Sequence, residues 1–276
     1  MRLTPPKVVG IVNITTDSFF DGGLYIDPDA AIGRARYVSA KGASIVELGA
    51  ASSHPDSQPV SAREEQARLA PVIHVLKGEG YTLSVDTCDP ETQRFALDLG
   101  IEYLNDISGF PDASMYPMLA ASEAKLVVMH SVLGGRQAAR VAYDATEVWG
   151  HIEAFFDQRI EALTAAGLSE DRLILDPGLG FFLADSPEPS VAVLGSIGRL
   201  IDRYHHPVLI SASRKSFLQR LVGRSGQEAG AATLAAEIYA TLAGVSFIRT
   251  HDVEALTDAL TVVTALAGAA AAESGQ

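Results

Sequence analysis

The chain puts side chains able to bind or catalyse at one recurrent place, the downstream end of a short apolar run. Asn13 follows Val8–Val12, Glu47 lies within 44–48, Asp86 follows 82–85 and Asn105 follows 102–104. His130 follows 125–129, Asp176 follows 172–175, Arg214 and Lys215 follow 207–213, and Arg249 and His251 lie within 246–251. Strands that simply run out into polar loops account for some of these endings, but not for all eight in succession. Ionised Asp86 and Asp176 can only accept hydrogen bonds, so in a buried site they call for a ligand with N–H donors. Arg214, Lys215, Arg249 and His251 crowd into two neighbouring loops of a chain whose net charge is −13, and a cationic cluster on an acidic protein points to an anionic substrate. The same acidity argues against nucleic acid or an anionic membrane as partner, since both need a basic footprint.

Segments with the 3.6-residue periodicity of amphipathic helices separate the runs, so the chain reads as eight β-α units. Eight parallel strands with outer helices close into a single (β/α)8 TIM barrel, whose active face lies at the carboxyl ends of the strands. The 276 residues sit close to the roughly 250 typical of one barrel, and no linker divides them, so 1–276 is expected to be one domain. The strand runs are apolar on both faces, as a helix-covered parallel sheet requires. Asp27-Pro28 is a helix start, and Ser61-Ala62-Arg63-Glu64 is a capping box before a helix that Pro71 should kink. The Ala-rich residues 268–276 are expected to form a disordered tail. No stretch reaches 18 uninterrupted apolar residues and the first residues lack an apolar signal segment, so the expectation is a soluble, cytoplasmic protein. The one cysteine, Cys88, excludes an internal disulfide and fits a reducing compartment.

The loop after the first run reads Asn13-Ile14-Thr15-Thr16-Asp17-Ser18-Phe19-Phe20-Asp21-Gly22-Gly23, with the length and functional groups of a lid. Later strand ends give Asp176-Pro177-Gly178-Leu179-Gly180-Phe181-Phe182, then Ser213-Arg214-Lys215-Ser216, then Arg249-Thr250-His251-Asp252. In this order, from Val8 to Asp252, the segments resemble the dihydropteroate synthases, whose pattern includes a G-I-x-N-x-T-x-D-S-F-x-D-G-G loop, D-P-G-x-G-F, S-R-K and R-x-H-D.

That resemblance implies condensation of a hydroxymethyl-dihydropterin pyrophosphate with 4-aminobenzoate to give 7,8-dihydropteroate and pyrophosphate. It assigns catalytic roles to Asp86, Asp176, Lys215 and Asp21, and pterin contacts to Asp86, Asn105, Met129, Asp176 and Lys215. Pyrophosphate contacts fall to Asn13, Ser52, Ser53, Arg249 and His251, with Mg²⁺ meeting Asn13. Aminobenzoate contacts fall to Phe19, Ser53, Pro55, Phe181, Phe182, Lys215 and Ser216. A homodimer is implied as well.

The chain departs from the family pattern in two loops. Where D-x-G-G-E-S-T-R-P is usual, it reads Glu47-Leu48-Gly49-Ala50-Ala51-Ser52-Ser53-His54-Pro55, which lengthens the carboxylate and replaces an arginine with His54. Where G-F-G-K is usual, it reads Gly180-Phe181-Phe182-Leu183 and then carries a longer loop. Both changes fall on the aminobenzoate side and resemble the mobile, sulfonamide-insensitive branch. Two other readings share the barrel: a pterin-binding methyltransferase domain, which would not need the lid or Ser-Arg-Lys, and a non-catalytic pterin-binding barrel.

Overall fold

The computed structural model describes residues 3–15, 27–135, 137–138, 140–226 and 228–274. Eight strands form one parallel sheet: β1 Lys7–Asn13, β2 Ile45–Gly49, β3 Leu83–Asp86, β4 Tyr103–Asp106, β5 Lys125–Met129, β6 Leu173–Asp176, β7 Leu209–Ile210 and β8 Phe247–Thr250. The order is β6-β5-β4-β3-β2-β1-β8-β7, and a parallel bridge between Leu175 and Val208 joins the two ends, so the sheet closes as a barrel. The helices are α1 Pro28–Ala40, α2 Ala62–Gly78, α3 Pro90–Asp98, α4 Tyr116–Ala121, α5 Val148–Ala165, α6 Glu188–Gly195, α7 Gly198–Tyr204, α8 Ser216–Val222, α9 Gly230–Leu242 and α10 Val253–Ser274. The connections after β6 and β7 each hold two helices, beyond the simple β-α alternation read from the sequence.

Local chemistry starts the helices where the sequence marks them. The Asp27 side chain accepts from Asp29 N and Ser61 accepts from Glu64 N, so each satisfies an amide that the first helical turn leaves unpaired. Asp89 does the same for α3, with Pro90 following it. Helix α2 runs unbroken through Pro71. The disordered tail expected from residue 268 is corrected by the structure: α10 continues to Ser274, because alanine has the highest helix propensity and four alanines follow Gly268. Strand β7 is shorter than the apolar run suggested, since the chain after Ile210 bends into a turn in which Lys215 N donates to Ala212 O.

Among the described residues, two of three apolar clusters hold the barrel wall and its interior. The larger lies between strands and helices, where Val12, Leu48, Leu69, Ile73, Phe156, Phe217 and Ile248 are fully buried. The smaller fills the barrel interior with Val9, Ile45, Tyr103, Val127, Ile174, Leu209 and Phe247. Ser84 and Glu47 lie beside that interior layer, so its rim turns polar on the β2–β3 side. An apolar floor topped by polar groups restricts charge chemistry to the carboxyl-end face.

Candidate active site

Strand register lines up the functional residues. Asn13 pairs with Gly49, Gly49 with Asp86, and Asp86 with Asn105, which makes one row across β1 to β4. Met129 pairs with Asp176 across β5 and β6. Side chains two residues apart share a face, so Ser84 lies beneath Asp86 and opposite Glu47, its register partner. Asp106 follows Asn105, but its carboxylate is occupied by Ser108, Gln93 and Phe110 N and holds the loop, leaving Asn105 as the group that faces a ligand.

Arg249 organises the centre. Its Nε donates to Glu47 and its Nη2 donates to Asp86 Oδ2 at 2.8 Å, so one guanidinium bridges two carboxylates inside the barrel. Ser84 Oγ donates to Glu47 Oε2 at 2.8 Å and Asn105 Nδ2 donates to the same oxygen at 3.4 Å. Glu47 is only 1% exposed, and these donors satisfy its buried oxygens. Burial pushes the Asp86 carboxyl upward and the negative Glu47 adds to this, while Arg249 pulls the other way. Burial opposes the charge on Arg249, but Glu47 and Asp86 raise it above the ordinary arginine value.

Opposite this cluster, Asp176 is 2% exposed, and burial raises its carboxyl to about 6 against the pull of Gly178 N, which donates at 2.8 Å. Burial lowers Lys215 to about 8, helped by nearby Arg249 and resisted by Asp176 and Asp86. The Lys215 ammonium sits 4.3 Å from the centre of the Phe182 ring, a cation–π contact. Glycine is required beneath both groups. A Cβ on Gly178 would lie 2.3 Å from His130 O, and one on Gly180 would crowd Ser216 Oγ at 3.1 Å, while both residues have positive φ. His251 is held well below the ordinary histidine value by burial and the surrounding cations, so it is neutral.

Among the described residues, buried Asn105 Oδ1 and Ser216 Oγ at this face meet no hydrogen-bond partner. Such atoms cost free energy unless a ligand meets them. Asn105 Oδ1, Asp86 and Asp176 can accept donors from a ring edge, and Ser216 can donate to an anionic group beside Lys215.

The remaining predicted residues lie on loops. Ser52 Oγ accepts from His54 N at 3.2 Å and Ser53 O accepts from Ala138 N at 3.0 Å, which ties the β2 loop to the β5 loop. Arg140 completes that tie by gripping Asp56 with both terminal nitrogens and lying over Phe181, 5.3 Å from its centre. The His54 ring meets Phe181 edge-on at 6.0 Å, next to the half-buried Pro55. Phe182 is buried with Met129, Ile107 and Ala138, so of the two rings only Phe181 belongs to the loop surface. Asn13 is half-buried at the end of β1. Phe19 and Asp21 lie outside the described residues.

The structure gives His130 a packing role: it is buried, faces Pro177 O with Nδ1 at 3.1 Å, meets Phe155 edge-on, and burial lowers it to about 4. Sequence reading missed Ser84 and Arg140. Ser84 could have been found, since it stands two positions before Asp86 on an apolar strand, whereas nothing in the β5 loop sequence marks Arg140. Among the described residues no three His, Cys, Asp or Glu side chains cluster as a metal site.

The family described as pterin binding enzymes matches residues 9–251. The chain is 55% identical over 259 residues to the dihydropteroate synthase type-2 of Escherichia coli, covering 94% of this chain and 95% of that protein. A Xanthomonas albilineans dihydropteroate synthase with 4-aminobenzoic acid superposes with a TM-score of 0.86 at 34% identity, covering 95% and 93% of the two chains. The enzyme of the same organism in complex with 7,8-dihydropteroate gives a TM-score of 0.80 at 30% identity, covering 96% and 94%.

Proposed function

The chain belongs to the pterin binding enzyme family, and from that premise we propose that it condenses 6-hydroxymethyl-7,8-dihydropterin pyrophosphate with 4-aminobenzoate, as a dihydropteroate synthase. The observation that carries this reading is the acceptor set of half-buried Asp86 with buried Asn105 Oδ1 and Asp176, which matches the amino and ring N–H donors of a pterin edge. Arg249 bridges Glu47 and Asp86 in the free chain, and pterin donors arriving at Asp86 would release one guanidinium nitrogen to the pyrophosphate. His251, with Ser52 and Ser53, adds neutral hydrogen bonds there.

The reaction breaks the bond between the methylene carbon and the pyrophosphate oxygen, with the electron pair leaving on oxygen. The amine of 4-aminobenzoate then forms the C–N bond and loses a proton. Positive charge spreads into the pterin ring as the oxygen departs, and the carboxylates of Asp86 and Asp176 are already in place to stabilise it. Lys215 and Ser216 receive the second substrate, and Asp21 and Phe19 of the first loop help to exclude water, which would trap the cation.

Mg²⁺ fits this site with one protein ligand, since a hard cation that keeps its waters and binds pyrophosphate oxygens needs no more than the side-chain carbonyl of Asn13. When bound it neutralises charge on the leaving group. Sulfonamide insensitivity is proposed on Phe181, whose ring lies between His54 and Arg140 and would meet a tetrahedral sulfonyl substituent where a flat carboxylate passes. The packed helices α8, α9 and α10 expose Leu221, Val222, Tyr239, Leu242, Val262 and Leu266, an apolar face suited to a second copy in a homodimer. On α10, Val253–Ala270 has a mean hydropathy of 1.4, and Leu256 and Leu260 pack it onto the barrel. A cytoplasmic location fits a biosynthetic enzyme of this kind.

Incubation with both substrates and Mg²⁺ should yield 7,8-dihydropteroate, identified by mass. Methyl transfer without pyrophosphate would support the methyltransferase reading instead, and pterin binding without product would support a binding barrel.

A further inference from the structure

Beside the ends of β3 and β4, α3 buries an amide that the reaction does not touch. Gln93 is 3% exposed, and its Nε2 donates to Thr87 O at 3.2 Å and to Asp106 Oδ2 at 2.8 Å. The first partner is a carbonyl, and the second is a carboxylate that also takes Ser108 N, Ser108 Oγ and Phe110 N. Both want donors, so the end of the Gln93 amide that faces them is its NH2, and each of its two hydrogens has one partner. Thr87 follows Asp86 and Asp106 follows Asn105. One amide therefore joins the residues next in line after two of the groups assigned to the pterin. Its helix is tied to the same place, since Asp89 caps α3 and Asp89 N donates to Thr87 Oγ1 at 3.2 Å.

The β3–β4 ladder runs one rung past the strands, with Thr87 N donating to Asn105 O at 2.9 Å, and beyond that rung Gln93 spans the two loops. On the β4 side the chain turns back sharply through Gly109 at φ +70° and Phe110 at φ +58°. A left-handed phenylalanine is unfavourable and persists only where its surroundings dictate it. Here Asp106 holds Phe110 N, while Tyr116 Oη and Arg159 Nη1 donate to Phe110 O at 3.0 and 2.8 Å. What this turn places is Ile107, which is buried against Met129 and Phe182. Ile107 from one loop, and Thr87 and Cys88 from the other, line a single cavity of about 270 Å³ with Asp86, Ser52 and Ser53.

We propose that Gln93 is a positioning residue for the pterin substrate: by holding Thr87 O and Asp106 Oδ2 with one amide, it sets the gap between the Thr87–Cys88 wall and Ile107, and with it the reach of Asp86 and Asn105 to one ring edge. The proposal rests on the pterin reading of Asp86 and Asn105. Without the amide, two buried acceptors lose a donor, one in each loop, and the loops shift to find other partners.

The test is calorimetric titration of the full chain with 6-hydroxymethyl-7,8-dihydropterin, together with steady-state kinetics for both substrates. The variant is Gln93→Met, which keeps the length of the side chain and removes both donors. It should weaken the pterin about tenfold, raise KM for the pterin substrate by a similar factor, and leave KM for 4-aminobenzoate within about twofold, as a small displacement of groups at one end of a site does. Loss of folded chain alone would lower kcat and leave the titrated affinity and both KM values unchanged, and that result overturns the proposal. Equal rises in both KM values overturn it as well. If Gln93→Met does not fold, Gln93→Asn, which draws the same amide back by one methylene, decides. A parent that binds no pterin overturns the pterin reading and the proposal together, whereas a parent and a folded variant that bind it equally overturn the proposal alone.

Discussion

The two halves of the site are built by opposite means. The half proposed for the pterin stands on strand ends, where register fixes Asp86 beside Asn105 and Met129 beside Asp176, and its charges are interlocked through Arg249. The half proposed for aminobenzoate stands on loops, and its main tie, Arg140 to Asp56, is 45% and 51% exposed. Exposed pairs of this kind contribute about 0–1 kcal/mol. A half whose charges are placed in advance by strand register is suited to stabilising developing charge. A half held by weak ties can change its contacts without disturbing the chemistry, which is where discrimination between 4-aminobenzoate and its mimics belongs.

Breaking the rigid half should cost most. Asp176→Asn removes a charged hydrogen bond to a buried donor, about 1.5–3 kcal/mol, and should lower kcat/KM for the pterin substrate about ten- to 150-fold. Steady-state kinetics with unchanged pterin affinity and unchanged rate would remove Asp176 from the site. In the loop half, Phe181 should set drug selectivity. Deleting it should tighten sulfonamide inhibition relative to the KM for 4-aminobenzoate by roughly a hundredfold, a clash of about 3 kcal/mol. A parent enzyme already inhibited near that KM would contradict the expectation.

The pH dependence tests the rigid half alone. Asp176, raised to about 6, gains a proton and loses its charge as pH falls through that value, and Lys215, lowered to about 8, loses its charge as pH rises through that value. With Asp86 also raised, to about 7, kcat/KM should fall below about pH 7 as Asp86 and then Asp176 gain protons, and above about pH 8 as Lys215 loses one, by about tenfold per unit at the start of each limb. Lys215→Met should abolish the alkaline limb, and a limb that survives belongs to another group. The smallest effect sharpens the contrast: Arg140→Ala should raise KM for 4-aminobenzoate about two- to fivefold and leave the pterin KM alone. Equal changes in both would mean that the halves are not separate.

The same contrast explains what could be read from the chain alone. Strand periodicity and strand ends fix Asp86, Asn105, Asp176 and Arg249, because a pleated strand leaves a side chain little choice of face. The partner of Arg249 was not readable, since it joins residues 202 positions apart. Nor was the tie from Arg140 to Phe181 and Asp56, for loops carry no period. The tail failed for a different reason: low complexity suggested disorder, whereas alanine favours helix.

The most direct measurement is pyrophosphate release with the pterin substrate and Mg²⁺, with and without 4-aminobenzoate. The account predicts one pyrophosphate per dihydropteroate formed and a large dependence on the second substrate. A chain that binds the pterin substrate and releases no pyrophosphate with 4-aminobenzoate present would contradict it.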